Sequence, residues 1–173
     1  MQHRPARVAA LLFLLTGAPC AWAQAPASPP SAPATQPKGP TTIDAQSIEG
    51  VSELEVTARG RVEFQRDDLT VYSEFLRFNQ EFGRIDADGG VRFLRGEDRF
   101  FGPRLRYNTQ DDTGVFEEPN YLLHGETTNM RGKAERLEFL GKDRLRLVQG
   151  MFTTCEPGKE DWRFEAGEME LDS

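Results

Sequence analysis

The chain has 173 residues, 38% of them hydrophobic, with 28 acidic and 21 basic side chains for a formal net charge of −7. From residue 41 onward all 28 acids face 18 bases, a net −10, which excludes the clustered basic surface that nucleic-acid binding relies on. With 2 histidines and 2 cysteines in total, there is also no set of residues spaced for a structural zinc.

Residues 1–23 read as a secretory signal. Arg4 and Arg7 precede an apolar run of eight, Val8 to Leu15, which is too short to span a bilayer, and Ala21-Trp22-Ala23 offers a small-x-small cleavage site. Cys20 is then discarded with the signal; Pro19 directly before it suits a lipoprotein site poorly. Residues 24–40 are built of Ala, Pro, Ser, Gln and Thr, and 8 of the 11 prolines fall in the first forty positions. Such a segment buries too little apolar surface to offset its ordering entropy and is expected to be a linker. Residues 41–173 remain as one domain, large enough for a core of its own. No second stretch in it is long and apolar enough to cross a membrane as a helix.

From Leu54 the period is two. Leu54, Val56, Ala58, Gly60, Val62 and Phe64 share one parity, with Glu53, Glu55, Thr57, Arg59, Arg61 and Glu63 on the other. Ile85, Ala87, Gly89, Val91 and Phe93 repeat the pattern. This is a half-buried β-strand. Asp67-Asp68, Gly96-Glu97-Asp98, Asp111-Asp112 and Gly141-Lys142-Asp143 read as turns between strands. No segment carries a helical period.

A second regularity lies over the first. Ile43-x-Ala45-x-x-Ile48, Val71-x-Ser73-x-x-Leu76-x-Phe78, Phe100-x-Gly102-x-x-Leu105-x-Tyr107, Gly132-x-Ala134-x-x-Leu137-x-Phe139 and Phe164-x-Ala166-x-x-Met169-x-Leu171 are copies of one module. Their small anchors are 28, 29, 32 and 32 residues apart, the mark of a repeat whose units bury apolar faces against their neighbours. Within each copy the parity changes at the anchor. Keeping all the apolar residues on one side requires a bulge or corner there, and a small side chain, because a bent backbone passes close to its neighbours. The prediction is an all-β, rolled or V-shaped stack of short antiparallel strands.

Catalytic chemistry is not visible. His3 leaves with the signal and His124 has no partner set around it. Gly89-Gly90 lies inside a strand pattern, so a bulge explains it better than a phosphate loop. Asp67/Asp68 and Asp111/Asp112 read as solvated turns. The residues leave two readings of the apolar interior open: a core and nothing more, or a partly open lining for an apolar ligand.

Ile43-Asp44-Ala45-x-x-Ile48-x-Gly50, Gly60-x-Val62-x-Phe64, Asn79 and Ala87-x-Gly89-x-Val91-x-Phe93 resemble the OstA-type repeat of Gram-negative lipopolysaccharide-transport proteins. Leu105-Arg106-Tyr107-Asn108, Gly114, Pro119-x-Tyr121, Gly132-x-Ala134-x-x-Leu137 and Phe152-Thr153-Thr154-Cys155-x-Pro157-Gly158, followed by Trp162, are similar to the N-terminal domain of the LptD family. The resemblance covers residues 41–173. It implies a taco-like β-jellyroll at the periplasmic face of the outer membrane, whose interior carries the acyl chains of lipopolysaccharide to an outer-membrane barrel plugged by a lipoprotein. The lining it implies is Val62, Phe64, Val71, Leu76, Phe78, Val91, Phe93, Phe100, Leu105, Tyr107, Leu137, Phe139 and Phe152. It also implies that the edge carrying Thr41, Thr42, Ile43, Ala45 and Ile48 receives a periplasmic bridge protein by strand addition, and that the Phe164–Leu171 end continues toward the barrel. No cofactor, metal or catalytic residue is implied. The barrel, which needs many further strands of about ten residues, is not expected within this chain, leaving a fragment, a truncated product or a free-standing relative. Cys155 matches a family cysteine that forms a disulfide, with its partner outside this chain; a buried thiol is the alternative, against which the Pro157-Gly158 turn argues. A soluble bridge protein of the same fold and a ligand-free structural β-roll are the other readings.

Overall fold

Alternation along the chain produces strands whose one face is apolar, and such faces must be covered. The structure, a computed structural model describing residues 39–52, 54–125 and 127–172, covers them by bending every strand. The predicted signal and nearly all of the linker lie outside the described residues. Twelve strands form one antiparallel sheet: β1 (Thr41–Asp44), β2 (Ser47–Ser52), β3 (Glu55–Arg66), β4 (Leu69–Asn79), β5 (Arg84–Arg95), β6 (Asp98–Asn108), β7 (Thr113–Glu117), β8 (Asn120–Leu123), β9 (Met130–Lys133), β10 (Arg136–Leu140), β11 (Arg144–Thr153) and β12 (Phe164–Asp172). There is no helix among the described residues. The all-β jellyroll expected from the sequence is the fold observed.

The pairing reduces these strands to a meander of nine bent ones. β3 pairs with β1 along Glu63–Arg66 and with β2 along Glu55–Arg59, so β1 and β2 are two halves of one strand broken at Ala45-Gln46. In the same way β7 and β8 both lie against β6, and β9 and β10 both lie against β11. Each bent strand gives one half to a first arm and the other half to a second arm. The first arm holds β1, β8, β9 and the halves of the long strands near Phe64, Val71, Phe93 and Phe100. The second holds β2, β7, β10 and the halves near Phe78, Ile85, Tyr107 and Leu147.

The corners are of two alternating kinds. On the first, third, fifth, seventh and ninth strands they fall at Ala45, Ser73, Gly102, Ala134 and Ala166, the small anchors read from the sequence. On the strands between, they carry backbone at positive φ: Gly60 and Arg61, Gly89 and Gly90, Glu118, and Gln149. The register shifts at these places, between Arg59 and Val62, Tyr72 and Phe75, and Asp88 and Val91. These are β-bulges, and an extra residue on one strand of a pair is what sharpens the bend. Gln46 N–H donating to Gly60 O at 2.9 Å and Ala134 N–H donating to Pro119 O at 3.0 Å tie neighbouring corners together. The Ser73 hydroxyl donates to Phe75 O at 3.0 Å, spanning its own bulge.

Candidate functional site

The two arms close over a continuous apolar interior. Phe64 of the first arm meets Phe78 of the second with ring centroids 5.1 Å apart. Phe93 meets Tyr107 at 5.0 Å and Phe139 at 5.5 Å, and Phe100 meets Phe139 at 5.3 Å. The spacings and tilts are those of favourable edge-to-face and offset ring pairs. Of the thirteen lining residues expected from the resemblance, twelve are 3% exposed or less: Val62, Phe64, Val71, Leu76, Phe78, Val91, Phe93, Phe100, Leu105, Tyr107, Leu137 and Phe139. The thirteenth, Phe152, is half-buried and packs against Trp162 and Phe164. All thirteen thus share one interior. Ile85, Ala87, Phe116, Tyr121, Leu145 and Leu147 belong to it too, with Ala58, Leu69 and Ala134. Ile85 and Ala87 were visible in the alternation; Phe116 and Tyr121 lie on short strands whose pattern is broken at the Glu118-Pro119 corner.

Burial alters the two enclosed phenols. Desolvation, with the Asp112 carboxylate second, pushes the Tyr107 hydroxyl well above the usual range; it donates to Asp112 Oδ1 at 3.1 Å. Desolvation likewise raises Tyr121, whose hydroxyl donates to Met151 O at 3.0 Å.

The interior has two uncovered ends. β1 and β2 pair only with β3, and β12 pairs only with β11, so these are the free edges among the described strands. Of the predicted edge residues, Thr41–Ile43 lie on β1, Ala45 at the corner and Ile48 on β2. Ile43 and Ala45 pack against the core, whereas Ile48, opposite buried Ala58, is 50% exposed. At the other end Phe164, opposite Phe152, is also 50% exposed. The outer face is charged: Arg104 pairs with Asp88 at 2.5 Å and Arg146 with Glu170 at 2.6 Å. A depression of about 1630 Å³ on that side is lined chiefly by polar groups, including Arg106, Glu117, Lys133 and Glu135, and belongs to the surface.

Cys155 is a free, half-exposed thiol in the segment joining β11 to β12. Hydrogen bonding with the Thr153 hydroxyl, then with the Trp162 backbone, holds its pKa below the ordinary thiol value. Arg131 pins this segment, donating from Nε to Cys155 O at 2.9 Å and pairing with Glu160 at 2.8 Å. His124 pairs with Glu97 at 3.2 Å in a turn. Asp67 receives Gly39 N–H at 2.8 Å, and Asp111 receives Thr113 N–H at 3.2 Å, so both are turn carboxylates. Among the described residues no three His, Cys, Asp or Glu side chains gather as a metal would require.

A bent meander with an apolar interior and two free edges defines an OstA-type β-jellyroll. No family model matches the chain. It is 33% identical over 129 residues to the LPS-assembly protein LptD of Ralstonia nicotianae, covering 75% of this chain and 16% of that protein. It is 34% identical over 133 residues to LptD of Cupriavidus necator, 77% of this chain and 16% of that protein. With LptD of Nitrosomonas eutropha the identity is 30% over 131 residues, 76% and 18%. The described domain is therefore an OstA-like domain of the LptD N-terminal type, and the chain spans about one sixth of the length of the curated relatives it matches.

Proposed function

We propose that this domain is a lipopolysaccharide-binding relay module at the periplasmic face of the outer membrane, serving lipopolysaccharide assembly without catalysis of its own. The observation that carries the reading is the single interior shared by two arms. It is one continuous apolar core to which all thirteen expected residues belong, uncovered at Ile48 and Phe164. Acyl chains would occupy it once the arms part, and a like-folded neighbour at either end would extend it. In this reading the β1–β2 edge accepts a periplasmic bridge protein by strand addition, and the β12 end faces the outer-membrane barrel with its plug lipoprotein. The similarity to proteins named for lipopolysaccharide assembly supports the cargo.

One observation favours a second reading, a structural β-roll without ligand: twelve lining residues are shut from solvent. Mass spectrometry of lipid extracted from the purified chain separates the two. Co-purified lipid A is expected; repeated preparations free of it, from cells that make lipopolysaccharide, would leave the structural roll. A photo-crosslinker at Thr42 is expected to capture the bridge protein, and capture only from β12 would reverse the assignment of the edges.

A further inference from the structure

Two arginines occupy inward-facing positions where an apolar residue would be expected. Val62-x-Phe64-x-Arg66 on β3 and Val91-x-Phe93-x-Arg95 on β5 are one pattern set 29 residues apart, and Phe64 and Phe93 are fully buried. Continuing the alternation two residues beyond each phenylalanine brings the arginine to the same side of the sheet. Both end their strands at the turns of the first arm. Arg66 and Arg95 each pair with Leu69 of β4, so they stand on alternate strands, roughly 9–10 Å apart across the sheet.

From this lip both side chains reach across to the second arm. Arg66 Nη1 donates to Thr109 Oγ1 at 3.1 Å, and its guanidinium lies 6.0 Å from the Phe78 ring centroid. The guanidinium of Arg95 lies 5.3 Å from the ring centroid of Phe139 and faces the Tyr107 hydroxyl. Its Nη2 is a loose 3.6 Å from Asp98 Oδ2, although the side chain is only 12% exposed. Thus both cations bridge the seam between the arms directly above the aromatic interior. Each also keeps a buried nitrogen without an acceptor, Nε of Arg66 and Nη1 of Arg95. A buried donor left unpaired is costly, more so on a charged group. An anion with several oxygens would relieve that cost, and guanidinium offers the bidentate fork that suits phosphate.

We propose that Arg66 and Arg95 are the headgroup site of this domain. In the structure they lie over the rings at the seam; with an amphiphile loaded they hold its phosphate groups while its acyl chains lie beneath. The inference rests on the relay reading, and adds to it which chemistry is recognised and where. The ligand is an acylated amphiphile carrying phosphate, rather than free phosphate, because the donors sit at the rim of an apolar space.

The test uses the purified full chain and three probes: bis-phosphorylated lipid A, the same lipid stripped of phosphate, and inorganic pyrophosphate. The wild type is expected to prefer the phosphorylated lipid. Arg66→Gln and Arg95→Gln are each expected to lower that preference about tenfold, the effect of one charge-assisted hydrogen bond. Affinity for the stripped lipid should stay within about twofold, since its chains meet the same interior. Pyrophosphate should neither bind nor compete. An unchanged preference in both variants overturns the proposal, as does tight binding of pyrophosphate alone. If neither lipid binds the wild type, the relay reading itself fails. Should a glutamine variant not fold, Arg66→Lys or Arg95→Lys reads the same ratio, because an ammonium cannot reproduce the fork; there too an unchanged ratio overturns the assignment.

Discussion

Phe93 touches Phe100, Tyr107 and Phe139 at once and is wholly buried, so with Phe139, which meets the same number of rings, it joins the two arms. Truncating it to alanine removes these contacts and leaves a cavity between packed rings. Phe93→Ala is expected to cost about 3–5 kcal/mol, read as a shift of the urea midpoint at constant slope; a loss under about 1 kcal/mol would mean that the interior repacks freely. A charge at Phe93 or Phe78 would instead be buried without a partner and should unfold the domain, so such variants cannot tell lining from core. Cys155 makes a second residue-level case. Its pKa is held down by hydrogen bonding with Thr153, so at a given pH below its ordinary value more of it is thiolate, the reactive form. In a Cys20→Ser background, alkylation by iodoacetamide should show an inflection below that of a free thiol. Thr153→Val should move the inflection up, and an identical profile in both proteins would remove Thr153 as the cause.

The corner is the element that turns flat strands into a roll, and it was legible in six of its nine occurrences. Ala45, Ser73, Gly102, Ala134 and Ala166 announced themselves because a small residue was framed by apolar ones and the parity changed there. Of the intervening corners only Gly89-Gly90 did so, as a glycine pair inside a strand pattern; the others did not, because Arg61, Glu118 and Gln149 reach positive φ without being glycine, a conformation that nothing in a side chain's hydropathy signals. The lip arginines were missed for a related reason: the alternation was followed through apolar residues only, and Arg66 and Arg95 continue it with a charge. What pattern reading could not supply at all was closure, since whether an apolar lining is sealed depends on how far the two arms lean together. The two kinds of corner make contrasting predictions. A Cβ on Gly102 would run into the Phe116 ring and come within 2.7 Å of Glu117 O, whereas one on Gly90 meets nothing within 4 Å and suffers only its φ of 62°. Gly102→Ala should therefore destabilise by about 1–3 kcal/mol through overpacking, and Gly90→Ala by about 1–2 kcal/mol through backbone strain. Chemical denaturation of both, together with spectra showing whether the sheet content survives, checks the reasoning. A Gly102→Ala variant as stable as the wild type would show that the neighbouring backbone yields and that small size is not what the corner needs.

At the scale of the whole domain, the two arms are one structure only if they unfold together, and alkaline pH tests this through a tyrosine in each. Tyr121 lies on β8 in the first arm and Tyr107 on the second-arm half of β6, and both hydroxyls are held above the ordinary phenol value by burial. In the unfolded chain a tyrosine ionises near pH 10. The folded domain keeps both protons above that pH, so the unfolded state gains stability by releasing protons that the folded state retains. Stability from these groups is fully present below about pH 10 and falls as pH rises toward the folded values, at about 1.4 kcal/mol per pH unit for each tyrosine. Urea unfolding at about pH 9, 10 and 11 should show little change over the first interval and a steep loss over the second. Tyr121→Phe gives up the bond to Met151 O, about 1 kcal/mol at every pH, and should remove only its own share of the alkaline slope, leaving that of Tyr107. If Tyr121→Phe instead flattened the slope completely, Tyr107 would not be titrating with the same transition. The second arm would then open on its own before the first, and the seam spanned by Arg66 and Arg95 would be the place where the domain comes apart.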